Sequence, residues 1–134
     1  MQLKDVMRKK PEVVGPDALL QEAACKMTGH NIPVLPVCEG SQVVGLLTIR
    51  DIAVRATAQG RDPLNGRVRE VMMVPPIFGR EDLDINAAAA LMQRWRISGL
   101  PVLDHQMHLV GVVLLRDLHE KASRVRRGRR SDRR

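Results

Sequence analysis

The chain has 134 residues, the length of one ordinary domain, and carries a formal net charge of +7. Apolar residues make up 44% of the chain but aromatic residues only 1%, which predicts an aliphatic core and argues against a base-stacking platform for single-stranded nucleic acid. No apolar run approaches the roughly 20 residues of a membrane span, no signal-peptide stretch opens the chain, and the two cysteines fit neither a metal spacing nor a disulfide framework, so we expect a cytoplasmic protein.

An amphipathic helix is predicted early in the chain, after a short strand. Residues 11–14 are mostly apolar, as in a strand. Asp17 can cap the helix that follows, and Gly29 can end it. The apolar positions of this helix follow the i, i+3, i+4, i+7 spacing of one helical face and are Leu20, Ala23, Ala24 and Met27.

A hairpin and a second helix complete this first unit. Residues 34–38 and 43–47 are apolar and flank a Glu-Gly-Ser turn, which predicts a β-hairpin. A helix is predicted from about residue 50 to residue 59, ending at Gly60. The segment 61–66 contains Pro and Gly between polar residues and is predicted to be a linker.

After the linker the chain repeats itself. With a shift of 65 residues, DVM at 5–7 overlays EVM at 70–72, and the later apolar positions follow. One extra residue enters the second copy near residues 104–108, so that at a shift of 66 VVGLLTIRDI overlays LVGVVLLRDL. Each copy therefore reads β-α-β-β-α. We predict an α+β fold in which two such motifs pack across a pseudo-twofold axis.

The predicted boundaries are 1–60 for the first motif, 67–122 for the second, and 123–134 for a basic tail. Residues 121–134 hold eight Lys or Arg and one Asp, so they carry a charge equal to that of the whole chain, while residues 1–120 are balanced. Such runs are usually solvated and disordered. The alternative is that the tail contacts nucleic acid or an acidic partner, with the rest of the protein as a structural support.

Taken together and in order, these motifs resemble a tandem pair of CBS motifs, also called a Bateman module. The resemblance rests on DVM and EVM, on the IPVLPV and ISGLPV strands, and on GLLTIRD and GVVLLRD, which close the two copies. It is strongest toward small stand-alone bacterial CBS-pair proteins, through LLTIRDIAVRATAQGRDP. It implies a disc-like homodimer that acts as a regulatory sensor without catalysis.

The resemblance also implies the ligand, an adenosine-containing molecule such as AMP, ADP, ATP, NAD or S-adenosylmethionine, with AMP or ATP expected first and no required cofactor. In such pairs each cleft joins the Thr-x-x-Asp of one motif to the first strand and pre-strand turn of the other. Cleft A would then contain Thr48, Arg50, Asp51, Ile77, Phe78, Ser98, Gly99 and Pro101. Cleft B would contain Val13, Val14, Pro33, Val34, Leu114, Arg116 and Asp117.

The residue types of cleft A suit a nucleotide. The hydroxyl of Thr48 can join helix N-terminal amides on a phosphate, which Arg50 can also reach. A carboxylate at Asp51 suits a ribose cis-diol, and Gly99 lets a base approach the backbone. Two alternatives stay open: Thr48 and Asp51 could form a capping box without any ligand, and Phe78 could be a core residue.

Cleft B departs from the family pattern at both ends, because Leu114 replaces the threonine and the turn before its strand is Pro33-Val34 instead of Ser-Gly. Binding there is expected to be weaker. Trp95 lies among charged residues and is a candidate anchor of the dimer, or else a packed residue of the monomer. Three other polar groupings are expected to be structural and not metal-binding or catalytic: His105 with His108, His30 with Cys38, and Asp82 with Asp84.

Overall fold

The structure is a computed structural model that describes residues 1–120. The predicted tail at 123–134, and with it the end of the second motif, lies outside the described residues. No helix of residues 1–120 combines the length and the apolar character needed to cross a membrane.

From residue 20 onward the first half follows the predicted order of elements. Before it, the structure has a short helix that the sequence does not predict, and the strand predicted at residues 11–14 is reduced to a single bridge at Val14. Helix α1 is Leu3–Val6 and helix α2 is Leu20–His30. Strands β1, Val34–Glu39, and β2, Gln42–Thr48, form an antiparallel hairpin, and a single parallel bridge joins Val14 to Val37 at its free side. Helix α3 follows at residues 49–58, and its central part, Asp51–Ala56, is π-helical.

The second half repeats this arrangement. It begins with a 3₁₀ turn, Val68–Glu70, and continues with strand β3, Gly79–Arg80, and helix α4, Ile85–Trp95. Strands β4, Gly99–Leu103, and β5, Leu109–Leu114, pair antiparallel, and β3 pairs parallel with β4. Helix α5 starts at residue 115 and is described to residue 120. The one-residue insertion lies in the β4–β5 loop, where the sequence predicts it.

The leading segment of each half packs on the other half. The backbone amide of Leu3 donates to the carbonyl of Leu83 at 2.9 Å, and that of Val68 donates to Ala18 at 2.9 Å. Arg8 pairs with Val112 of β5 through two backbone hydrogen bonds of 2.8 and 3.0 Å, and Met73 pairs with Leu46 of β2 through two of 2.8 and 3.1 Å. The two leading segments are thus exchanged between the halves. The exchange joins the halves at both edges of the molecule, as a pseudo-twofold axis requires.

The core is aliphatic, as the composition predicts. It is built from leucine, valine, isoleucine, alanine and methionine side chains of both halves, including the fully buried Leu35, Leu47, Met92 and Leu100. Burying each such side chain stabilises the fold by roughly 1.5–3 kcal/mol. Among residues 1–120, the buried polar or charged residues are Thr48 and Asp51 alone.

Two details of α2 differ from the prediction. Asp17 does not cap the helix: the N-cap is Leu19, and the Asp17 carboxylate accepts a hydrogen bond of 2.7 Å from the guanidinium of Arg69 in the other half. Gly29 does not end the helix, which continues to His30 because Asn31 adopts the left-handed conformation at its C-cap, φ 51°. Asn tolerates that conformation better than most residues.

Candidate functional site

Thr48 and Asp51 form a reciprocal pair at the N-terminus of α3. The amide of Asp51 donates to Oγ1 of Thr48 at 3.0 Å, and the amide of Thr48 donates to Oδ2 of Asp51 at 2.9 Å. This is a capping box, which satisfies two backbone amides that the helix itself leaves without partners. The capping box that the sequence offers as an alternative to a nucleotide contact is therefore present. It holds the side chains of Thr48 and Asp51 in fixed positions.

The cap leaves the second carboxylate oxygen of Asp51 without a hydrogen bond from the described residues. The nearest cation to Oδ1 is Nη1 of Arg55, 3.9 Å away, which is too long for a hydrogen bond. Arg55 instead donates to the carbonyl of Val71 at 2.8 Å. Since every buried side-chain nitrogen or oxygen of the described residues has a hydrogen-bond partner, Oδ1 retains contact with solvent. It is an acceptor that a ligand can use.

Arg50, next to this cap, is exposed, and its guanidinium makes no hydrogen bond or ion pair with any residue of the range 1–120. Its counterpart in the second half behaves differently, because Arg116 donates through Nη2 to the carbonyl of Asn31 at 2.7 Å. The guanidinium beside Asp51 is thus available to an anion, whereas the one beside Asp117 is already bound to the first half.

Asp117, the counterpart of Asp51, is held by Arg8. Nε of Arg8 donates to Oδ2 at 2.9 Å and Nη2 donates to Oδ1 at 3.2 Å, so both carboxylate oxygens are engaged. The hydrogen bond and the negative charge of Asp117 raise the pKa of the Arg8 guanidinium above its ordinary value. Arg8 did not emerge from the sequence. The sequence does contain a difference at this position, because Arg8 overlays Met73 in the repeat. That difference points to Asp117 only once it is known that the leading segment of each half packs on the other half.

Gly99 lies against the first half. A Cβ at this position would be 2.4 Å from Cγ2 of Val34 and 3.2 Å from Cδ2 of Leu114, so the packing of β1 on β4 already requires glycine there. Val34 is the strand partner of Thr48. Val34 is therefore a neighbour of both Thr48, at the end of β2, and Gly99, at the start of β4.

The other predicted residues of cleft A differ in burial and in their partners. Ile77 packs against the core, and Phe78 is half-buried outside the core cluster. Ser98 is exposed, and its carbonyl accepts a hydrogen bond of 2.9 Å from the amide of Leu115. Pro101 is buried in β4 opposite Val112.

Two of the predicted residues of cleft B line one cavity, and a second cavity lies beside Arg8. Pro33 and Arg116 line one of about 290 Å³, and Arg8 lines another of about 180 Å³ between Ile32 of the first half and Val112 of the second. Val14 is buried beside β1, Val13 is half-buried, and Val34 lies under Gly99. The polar groups that a nucleotide would need in this cleft, Arg116 and Asp117, already have partners within the protein.

The two histidines of the β4–β5 loop each face a carboxylate. His105 lies 3.8 Å from Asp82, and His108 lies 3.6 Å from Asp104. Oδ1 of Asp104 also accepts from the amides of Gln106 and His108, both at 2.9 Å, and these backbone hydrogen bonds hold the pKa of Asp104 below its ordinary value. The loop is therefore organised by Asp104.

The remaining polar groupings are local. His30 lies 3.5 Å from Glu12 and forms no pair with Cys38, whose thiol pKa is raised by burial. Asp84 caps α4 by accepting from the amide of Asn86 at 2.9 Å. Within residues 1–120, no three His, Cys, Asp or Glu side chains are grouped so as to hold a metal ion.

Comparison with known proteins gives consistent matches over nearly the whole described chain. The CBS domain family matches twice, at residues 3–56 and 68–124. The CBS domain-containing protein YhcV of Bacillus subtilis is 42% identical over 116 residues, which are 87% of this chain and 81% of that protein. The solved CBS domain pair of protein MJ0100, in complex with 5′-methylthioadenosine and S-adenosyl-L-methionine, is 32% identical, with a TM-score of 0.76 over 96% of this chain and 98% of that one.

The chain also resembles part of larger enzymes. It is 29% identical to the inosine-5′-monophosphate dehydrogenase of Methanocaldococcus jannaschii over 131 residues, but these are only 25% of that enzyme. The similarity therefore concerns one segment of the dehydrogenase and gives no evidence for the enzyme's activity in this chain.

Proposed function

We propose that this chain, which belongs to the CBS domain family, is a non-catalytic regulatory module that binds an adenosine-containing ligand, chiefly in cleft A. The observation that carries the proposal is the Thr48–Asp51 pair. It contains the buried polar residues of the described chain, it lies at the N-terminus of α3, and Oδ1 of Asp51 accepts no hydrogen bond from any of residues 1–120.

The chemistry of the groups supports a nucleoside with a phosphate or another anionic or polar tail. Oδ1 of Asp51 can accept a hydrogen bond from a ribose hydroxyl, as acidic residues do in other nucleotide sites. The unengaged guanidinium of Arg50 and the first amides of α3 favour an anion. Ile77, Phe78 and the backbone around Ser98 would receive the base. The relative MJ0100 binds two adenosine ligands, which supports the same ligand class here.

The test is isothermal titration calorimetry of the full chain with AMP, ADP, ATP, NAD and S-adenosylmethionine, on wild type and two matched variants. Asp51→Asn keeps an oxygen for the cap but removes the charge that strengthens a ribose hydrogen bond. We expect at least about tenfold weaker binding, since hydrogen bonds to charged groups contribute about 1.5–3 kcal/mol. Asp117→Asn, the same change in the other half, is the control and should bind like wild type. Equal affinities in all three proteins would contradict the role of Asp51.

The alternative function, binding of nucleic acid or an acidic partner by the basic tail, lies outside the described residues and depends only on the charge of 121–134. Deleting residues 123–134 distinguishes the two. Nucleotide affinity should be unchanged by the deletion, because the cleft A residues lie in the first 101 positions. Nucleic-acid binding that falls steeply with salt in the full chain and disappears in the truncated one would favour the tail.

A further inference from the structure

We propose that Arg8 is a built-in occupant of cleft B: its guanidinium takes both oxygens of Asp117, which leaves neither oxygen for a ribose hydroxyl, and it thereby limits the pair to one adenosine ligand, bound in cleft A. This inference rests on the proposed function. It assigns to Arg8 a specificity role, which is to decide which of two pseudo-equivalent clefts is open.

The geometry of the pair matches what a cis-diol would offer. Two donors of one planar group, Nε and Nη2, approach the two oxygens of one carboxylate at 2.9 and 3.2 Å. A ribose would likewise present two neighbouring hydroxyl donors. The hydrogen bonds from Arg8 are assisted by charge on both partners and are therefore stronger than those of neutral hydroxyls. The ribose of a ligand in cleft B would therefore have to displace Arg8 before it could reach the Asp117 carboxylate.

The backbone fixes Arg8 at this place. Its amide and carbonyl both bond to Val112, so residue 8 continues the β4–β5 sheet as an edge position. Asp117 lies in the first turn of α5, beyond the end of β5. Arg8 also lines the cavity of about 180 Å³ that extends from Ile32 of the first half to Val112 of the second. Its guanidinium joins the two halves by its hydrogen bonds to Asp117.

The pseudo-symmetric position lacks this occupant. Met73 pairs with Leu46 of β2 as Arg8 pairs with Val112 of β5, but its thioether cannot donate to a carboxylate. Asp51 is held by the Thr48 cap through one oxygen only. In the second half Leu114 has no hydroxyl to complete such a cap, and Asp117 turns to Arg8 instead. Two differences between the halves, Arg8 in place of Met73 and Leu114 in place of Thr48, therefore both favour the engagement of Asp117 by Arg8.

The experiment exchanges the two residues. Arg8→Met gives cleft B the residue that cleft A has, and Met73→Arg does the reverse. Stoichiometry and affinity are measured by calorimetry and equilibrium dialysis with AMP, ATP and S-adenosylmethionine as probes. Wild type should bind one equivalent per chain and Arg8→Met two, and Asp117→Asn added to Arg8→Met should return the number to one. Met73→Arg should weaken the original site at least tenfold. Arg8 is exposed, so Arg8→Met is expected to fold normally, which circular dichroism checks.

The outcomes separate this inference from the proposed function. If wild type binds one equivalent and Arg8→Met also binds only one, Arg8 is not what closes cleft B and the inference is wrong, while the proposed function stands. Two equivalents bound by wild type would overturn the inference as well. If wild type binds no probe and Arg8→Met binds one equivalent that depends on Asp117, the role of Arg8 holds and cleft A fails. If neither protein binds any probe, both are overturned.

Discussion

Val34 and Gly99 occupy matched positions in the two halves and touch each other across the pseudo-twofold axis. A Cβ on Gly99 would lie 2.4 Å from Cγ2 of Val34, which no relaxed structure accommodates. One half therefore supplies a valine and the other a glycine at a single contact, and the symmetry of the fold is broken at the point where its two candidate clefts meet.

This contact makes position 99 sensitive to size. We expect Gly99→Ala to lower the free energy of unfolding by about 1–3 kcal/mol, because overpacking a fitted interior has that cost. Gly29→Ala is the control, since nothing lies within 4 Å of a Cβ there. It should be neutral or slightly stabilising, as alanine is the better helix former. Urea denaturation of both variants measures their free energies of unfolding. A Gly99→Ala protein as stable as wild type would contradict the close packing of Gly99 on Val34.

The Thr48 cap should contribute to stability without any ligand. Thr48→Val keeps the shape of the side chain but removes the acceptor of the Asp51 amide, so we expect a loss of about 0.5–2 kcal/mol. Thr48→Ser keeps the hydroxyl and should retain most of the stability. Denaturation of the two variants, measured without nucleotide, tests the cap alone. Equal stabilities for Val and Ser at position 48 would show that the capping hydrogen bond has no energetic weight.

Asp104 should make the free energy of unfolding decrease at low pH. Its pKa is lowered in the folded protein by the amides of His108 and Gln106. A lowered carboxyl pKa stabilises the fold fully above the ordinary value of about 3.9, and this contribution is lost as the pH falls through the lower folded value. Asp104→Asn keeps an oxygen acceptor but does not titrate. Unfolding followed between pH 2 and 6 should therefore show a shallower acid slope for Asp104→Asn, and identical slopes would be inconsistent with the assigned hydrogen bonds.

Trp95 is proposed as an anchor of a homodimer. Its side chain is 47% exposed, and the guanidinium of Arg94 lies 5.9 Å from the ring centre. As the single tryptophan of the chain it reports on its own surroundings. Its fluorescence should shift to shorter wavelength as the protein concentration rises, in parallel with dimer formation in sedimentation velocity. Trp95→Ser should weaken the dimer, while Leu64→Ser, at another exposed apolar residue, should not. A dimer unaffected by Trp95→Ser would place the interface elsewhere.

The sequence predicts the internal architecture of each half well, because hydrophobic spacing is local. The helix expected from Leu20 and the hairpin around the Glu-Gly-Ser turn are present as Leu20–His30, Val34–Glu39 and Gln42–Thr48. The bulges at Val37/Cys38 and Val102/Leu103 even occur at matched positions.

The sequence does not show which leading segment packs on which half. DVM and EVM are so alike that either leading segment could pair with either hairpin, and only the structure shows that they are exchanged. The exchange brings Arg69 to Asp17 and Arg8 to Asp117, two ion pairs that span 52 and 109 residues. For the same reason the sequence predicts Asp17 as a helix cap and gives no indication of the role of Arg8. The candidate site was proposed from its motif, but the contrast between its two clefts depends on these long-range pairs.

The most direct measurement is a crystal structure of the protein grown with saturating AMP, ATP or S-adenosylmethionine. We predict one adenosine ligand per chain, with its ribose hydroxyls on Oδ1 of Asp51, its base near Ser98 and Gly99, and the Arg8–Asp117 pair unchanged. A ligand whose ribose lies on Asp117, with Arg8 displaced and Asp51 still only a helix cap, would contradict it.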